Sequence, residues 1–306
     1  MKHNPKITLI LMAMFLITQF IGLYVVNHYS TTKVVEGEIQ NVSAPSLPFG
    51  LKPIEPEKES DYQDFFYTIV LAFIIAISLL FLFTKFKLKF ILKGWFFIVV
   101  TMALGIFFNS IIPAFRYSSL VALMVALPLA FIKIYKRDFF VHNITELLIY
   151  PGIAVLFVPL LNIFTLVFLL IAISLYDIWA VWHSGIMQKM AKFQIDKLNI
   201  FSGFFVPYLS KKLRSEIRGM KKSELKKKKI KVNVAILGGG DVIFPIIAAG
   251  VLLKTLGLTS SLFVIAGATL GVSYLFFFSE KKKFYPAMPF ISIGIFIGII
   301  LSYLLL

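Results

Sequence analysis

Long apolar runs separated by polar loops set the pattern of this chain. Nine of them are long enough to cross a bilayer: roughly Ile7–Val26, Phe65–Phe83, Gly94–Ile112, Tyr117–Tyr135, Val141–Leu161, Ile163–Trp182, Val232–Leu253, Ser260–Phe278 and Pro289–Leu306. A spanning helix needs about 20 predominantly apolar residues, so the pattern predicts an all-α membrane protein, a bundle of nine transmembrane helices. The first run follows a basic start (Lys2, Lys6) and has the look of a signal peptide. It is long for such a core, and Asn27-His28-Tyr29 offers no small-residue cleavage site, so it is expected to persist as a helix.

Composition agrees. Of the 306 residues, 59% are hydrophobic and 15% charged, and the mean hydropathy is +0.89. Soluble domains average about a quarter charged residues. The net charge of +16 would suggest nucleic acid in a soluble protein, but its distribution points elsewhere. The N-terminus and the loops 85–93, 133–137, 183–231 and 281–283, all on one side of a nine-span topology, hold 26 of the 31 Lys and Arg. The other side holds Lys33, Lys52, Lys58, Arg116 and Lys254. The positive-inside rule therefore places the N-terminus in the cytoplasm and the C-terminus outside. A multi-pass integral membrane protein is expected, in the cell membrane if the source is prokaryotic. The absence of cysteine excludes disulfides, thiolate catalysis and Cys-ligated metals.

Three parts follow: residues 1–182 with six spans, a basic cytoplasmic loop 183–231, and residues 232–306 with three spans. The loop carries Lys211, Lys212, Arg214, Arg218, Lys221, Lys222 and Lys226 to Lys229, a run suited to anionic lipid. It has no aromatic-basic module for nucleic acid. Within it, residues 201–209 are apolar but too short to span, and are expected at the interface or folded back toward the flanking spans. The acidic, proline-bearing loop 27–64 reads as a solvated linker, with a lid as the alternative.

Ionisable residues inside spans are costly and mark function by default. Away from loop edges they are Glu146, Asp177 and Asp241. Asp177 lies five residues before the inner end of span six, and Asp241 nine residues after the inner start of span seven. At ~1.5 Å per residue these are about 8 and 14 Å below the cytoplasmic surface, near enough in depth to face one another. Gly238-Gly239-Gly240 precedes Asp241. Such small residues allow another backbone to come close, and they weaken the helix where an extended peptide could pair. Tyr176 offers a hydroxyl beside Asp177. Glu146 is expected to snorkel to the interface or to hydrogen-bond near the pair.

Two close carboxylates cannot both ionise and titrate as a unit. One then takes a proton from water while the other protonates a scissile carbonyl, which requires neither metal nor cofactor. There is no His-Glu-x-x-His, and no Gly-x-Ser-Gly in a span. On the pair alone, a proton- or cation-coupled transporter and a packing hydrogen bond stay open beside a protease.

Three motifs in order add to this reading. Tyr176-Asp177, Gly238-Gly239-Gly240-Asp241 and Pro286-Ala287-Met288-Pro289 resemble the Tyr-Asp, Gly-x-Gly-Asp and Pro-Ala-Leu motifs of the presenilin and signal peptide peptidase family. Nine spans with the large loop between the sixth and seventh are similar to it as well. The chain looks most like archaeal presenilin homologues. Met288 stands where leucine is usual, a volume-conserving difference. The resemblance implies an intramembrane aspartyl endopeptidase that cleaves hydrophobic transmembrane peptides. Asp177 and Asp241 would be catalytic, and Tyr176, the three glycines and Pro286–Pro289 would support them. The 26-to-5 charge split favours the presenilin orientation over the inverted one of signal peptide peptidases.

Overall fold

A computed structural model of the chain describes residues 5–35, 38–54, 56–86, 88–136, 138–185, 200–208, 233–279 and 285–305. Among the described residues nine helices are long and apolar enough to cross a membrane. They are α1 (Pro5–Tyr29), α2 (Asp61–Lys85), α3 (Lys89–Ile111), α4 (Ser118–Phe131), α5 (Phe139–Phe157), α6 (Ile163–Ile178), α7 (Gly239–Leu256), α8 (Leu258–Phe278) and α9 (Met288–Leu305). Wider π turns extend α4 over Ile132–Lys136 and α6 over Trp179–His183. The basic run 211–229 and the 281–283 turn lie outside the described residues.

Two short antiparallel ribbons join the helices. β1 (Thr32–Val35) pairs with β2 (Glu38–Asn41) within the first loop, so part of that solvated linker is a two-stranded ribbon. β3 (Gly203–Tyr208) pairs with β4 (Asn233–Gly238) from Gly203↔Gly238 to Tyr208↔Asn233. The apolar stretch after residue 200 therefore folds back toward the next span, as a strand. This also corrects the seventh span. Residues 233–238 are extended, and the helix begins only at Gly239. Val234-Ala235-Ile236-Leu237 alternates exposed and buried side chains, the period-2 pattern of a strand. In a continuous apolar run that alternation is invisible.

Local chemistry sets the ends of the helices that matter most. Asn162 caps α6: its Oδ1 accepts from the Thr165 N–H at 2.8 Å, and Thr165 Oγ1 accepts from the Asn162 N–H at 3.0 Å, a reciprocal capping box. Asp138 caps α5 by accepting from Val141 N–H at 2.8 Å. Pro286 cannot donate a ladder hydrogen bond, and α9 starts two residues later.

Helices α5 and α7 are the most enclosed, 56% of each span being buried against 6% for α2. The main core runs through α1, α5, α6, α7, α8 and α9, with Phe15, Leu170, Ile246 and Ile295 among its fully enclosed members. Gln19 on α1 donates from Nε2 to the Val242 carbonyl at 3.1 Å and so ties α1 to the first turns of α7. Helices α8 and α9 meet through glycine. A Cβ at Gly267 would strike the Gly294 carbonyl, and one at Gly294 the Gly267 carbonyl. Gly271 and Gly298 sit in the same way against Phe290 and Phe263. The two Gly-x-x-x-Gly repeats are packing faces, as small residues commonly are in membranes.

Candidate active site

Asp177 stands in the last α-helical turn of α6, just before the wider π turn, and is only 4% exposed. Its Oδ2 accepts from the Met288 N–H at 3.0 Å. The Ala287 amide is directed at the same carboxylate. Those amides are free to point at Asp177 because residues 285–287 precede α9 in irregular backbone, with Pro286, Ala287 and Met288 all buried. One turn before Asp177, Ser174 Oγ donates to Ser292 Oγ at 2.9 Å and fastens α6 to α9. The Pro286–Pro289 segment thus holds Asp177 through main-chain donors, which favour a carboxylate in low dielectric.

Asp241 stands on α7 in a different setting. Gly238 is the N-cap, with φ −64° and ψ 149°, so Asp241 occupies the third helical position. Its side chain turns back on Gly238: a Cβ there would lie 3.1 Å from Asp241 Oδ2, and the Gly238 amide donates to the carboxylate. This is half of a capping box, an acidic side chain at the third position reaching back to the N-cap amide. The helix N-terminus also favours negative charge there. Pro245, one turn further, lacks the N–H that would bond the Asp241 carbonyl. Asp241 is half-buried and feels the charge of Asp177. The two carboxylates reach one site from α6 and α7, each held by its own backbone amides.

The family model described as signal-peptide peptidase, presenilin aspartyl protease matches residues 47–306. The chain belongs to that family. It is accordingly an aspartic endopeptidase and a multi-pass integral membrane protein, and the transporter reading falls away. No curated protein sequence matches significantly. Two solved structures, both described as a presenilin family intramembrane aspartate protease, share the fold. The one in space group C222 has 18% identity and a TM-score of 0.59, covering 98% of this chain and 99% of its own. The one in space group P2 has 17% identity and a TM-score of 0.61, with full coverage of both chains.

The expected support residues of this presenilin-family chain divide. The Gly238 backbone and the Ala287 and Met288 amides meet the aspartates. Pro289 lies in the first turn of α9. Tyr176 is 37% exposed and packs on Trp179, with ring centroids 6.3 Å apart; it makes no hydrogen bond to either aspartate, while its hydroxyl feels the charge of Asp177.

A polar cluster behind β3 was only partly visible in the sequence. Glu146, 1% exposed, pairs through Oε1 with Lys133 Nζ at 2.5 Å. It does not snorkel. Lys133 reaches inward because the π turn after α4 buries it at 7% exposure. Lys133 Nζ also lies 3.2 Å from His142 Nδ1, and His142 Nε2 lies 2.9 Å from the Gly203 carbonyl. An ammonium can only donate, so Nδ1 accepts and Nε2 carries the proton given to Gly203. Asn143 completes the clamp, donating to the Phe205 carbonyl at 3.1 Å and accepting from its N–H at 3.2 Å. Helix α5 therefore closes the outer edge of β3 at these positions. The outer edge of β4 meets no described strand.

Proposed function

We propose that Asp177 and Asp241 are the catalytic pair of this membrane aspartyl protease, and that its substrates are hydrophobic transmembrane segments. The carrying observation is the pair itself: two carboxylates within reach of each other's charge, inside an apolar bundle, each held by main-chain donors. In the working form the pair holds one proton. The ionised carboxylate takes a proton from water, and the protonated one gives its proton to the carbonyl oxygen of the scissile bond. Collapse of the tetrahedral adduct returns a proton to the leaving amine and yields a carboxylic acid and an amine.

β4 supports the same reading. It ends three residues before Asp241 with one edge unpaired among the described strands, and an extended peptide can add to such an edge through main-chain hydrogen bonds. A helical segment hides its scissile carbonyl within its own ladder, whereas a segment opened onto β4 would present it to the pair. The test is cleavage of a synthetic single-span peptide by the full chain in detergent or liposomes. Asp177→Asn and Asp241→Asn should each abolish cleavage while leaving thermal unfolding near that of the unaltered protein. Full activity in either variant would remove that residue from the dyad.

A further inference from the structure

Residues His142, Glu146 and Tyr150 follow one another at intervals of four on α5 and so line one stripe of that helix. The first two clamp β3 and pair with Lys133. Tyr150 is the third, 3% exposed, with its ring edge-on to Phe204 of β3 at 5.8 Å between centroids. Packing alone would be served by phenylalanine. The hydroxyl is the puzzle, because Tyr150 Oη is fully enclosed and makes no hydrogen bond of standard geometry, and neither does Glu146 Oε2. The polar groups that reach it are the Glu146 carboxylate and the Ser202 hydroxyl.

The place where that hydroxyl points resolves the puzzle. A Cβ on Gly239 would lie 2.7 Å from Tyr150 Oη and 3.1 Å from Ser202 Oγ. Two hydroxyls, one from α5 and one from the residue before β3, converge on the first residue of the helix that carries Asp241. Ser202 is also bound to that point through its backbone, since the Gly239 N–H donates to the Ser202 carbonyl at 3.2 Å. Gly240, by contrast, has only Phe244 near its Cβ position, at 3.8 Å. Of the residues between the N-cap and the aspartate, Gly239 is the one that must be glycine for packing, and Tyr150 is the principal reason.

We propose that Tyr150 is a positioning residue for Asp241: its hydroxyl, with Ser202, seats the Gly239 backbone and so fixes the first turn of α7 from which the carboxylate projects. The charged groups that act on this hydroxyl are Glu146 on its own helix and Asp241 on α7. The ion pair with Lys133 holds Glu146 in place, so the seat is anchored through α5 to the π turn after α4. The proposal rests on the assignment of Asp241 to catalysis.

Tyr150→Phe keeps the ring and its packing on Phe204. Cleavage of the single-span peptide by this variant should show a kcat lowered by about 10- to 100-fold, the scale of a small misplacement near the chemistry, with KM little changed. A lowered kcat beside an unchanged KM is the second readout, because a general loss of packing would not leave substrate binding intact. Gly239→Ala should also be impaired, and adding Tyr150→Phe to it should restore part of the activity by removing the oxygen that the new methyl meets. Should Tyr150→Phe unfold early, Ser202→Ala decides in the same two readouts. A wild-type kcat in the folded variant would overturn the proposal. Asp177→Asn and Asp241→Asn run in parallel keep the two readings apart. If they are inactive and Tyr150→Phe is normal, only the positioning role fails; if they are active, the dyad fails first.

Discussion

At the scale of single residues, main-chain amides hold the site as much as side chains do. Met288 departs from the leucine usual in its motif, yet what it gives to Asp177 is its N–H, at 3.0 Å. Met288→Leu should therefore retain activity within about twofold, since the side chain is volume-conserving and the amide is unchanged. Met288→Pro removes the amide. A hydrogen bond to a charged group contributes about 1.5–3 kcal/mol, so kcat should fall roughly 10- to 100-fold, measured on the same peptide substrate. Comparable losses in both variants would mean that the side chain, not the amide, matters. The aspartates and the amide-bearing segment were legible as residue types in order. The partners of each amide were not, because Asp177 and Met288 are 111 residues apart and meet only through folding.

At the scale of elements, α5 contributes most of what the sequence left unread. Its buried charges look misplaced in a linear reading, because the partner of Glu146 lies in a π turn that brings Lys133 inward. Removing one member of a buried ion pair costs about 3–5 kcal/mol, whereas replacing both with apolar residues of similar volume is often neutral or better. Glu146→Gln should accordingly lower the thermal unfolding temperature in detergent, and so should Lys133→Met. The double variant Lys133→Met/Glu146→Leu should recover most of the loss. A double variant worse than either single would show that the pair stabilises the fold beyond mutual compensation. The strand β4 was missed for a related reason. It is short, enclosed in an apolar run and followed directly by a helix, so local pattern reads both as one span. Pairing with β3 decides otherwise.

At the scale of the whole molecule, nine spans among the described residues, an odd number, put the two termini on opposite sides. From the 26-to-5 division of Lys and Arg, the N-terminus is expected in the cytoplasm. A reporter fused to the N-terminus should be active only in the cytoplasm, and one fused to the C-terminus only outside. Signals on the same side would mean that one of the nine helices does not cross. Within that frame the enclosed pair α5 and α7 forms the centre and α2 the rim. Asp177 on α6 and Asp241 on α7 therefore sit with α9 on one side and α5 with its ribbon on the other.

The sequence by itself determined the nine spans, the charge split from which their orientation is expected, the three motifs and the two aspartates. Each of these depends on composition summed along a window or on residues adjacent in the chain, and the membrane's thickness and charge rules act on such local quantities. Tertiary structure alone decided that α7 begins at Gly239 rather than Val232, that Tyr176 makes no hydrogen bond to either aspartate, and that Tyr150 and Ser202 meet at Gly239. It also decided that Met288 holds Asp177 by its backbone. These depend on which distant groups come within hydrogen-bonding distance, and that is set by packing among helices far apart in sequence.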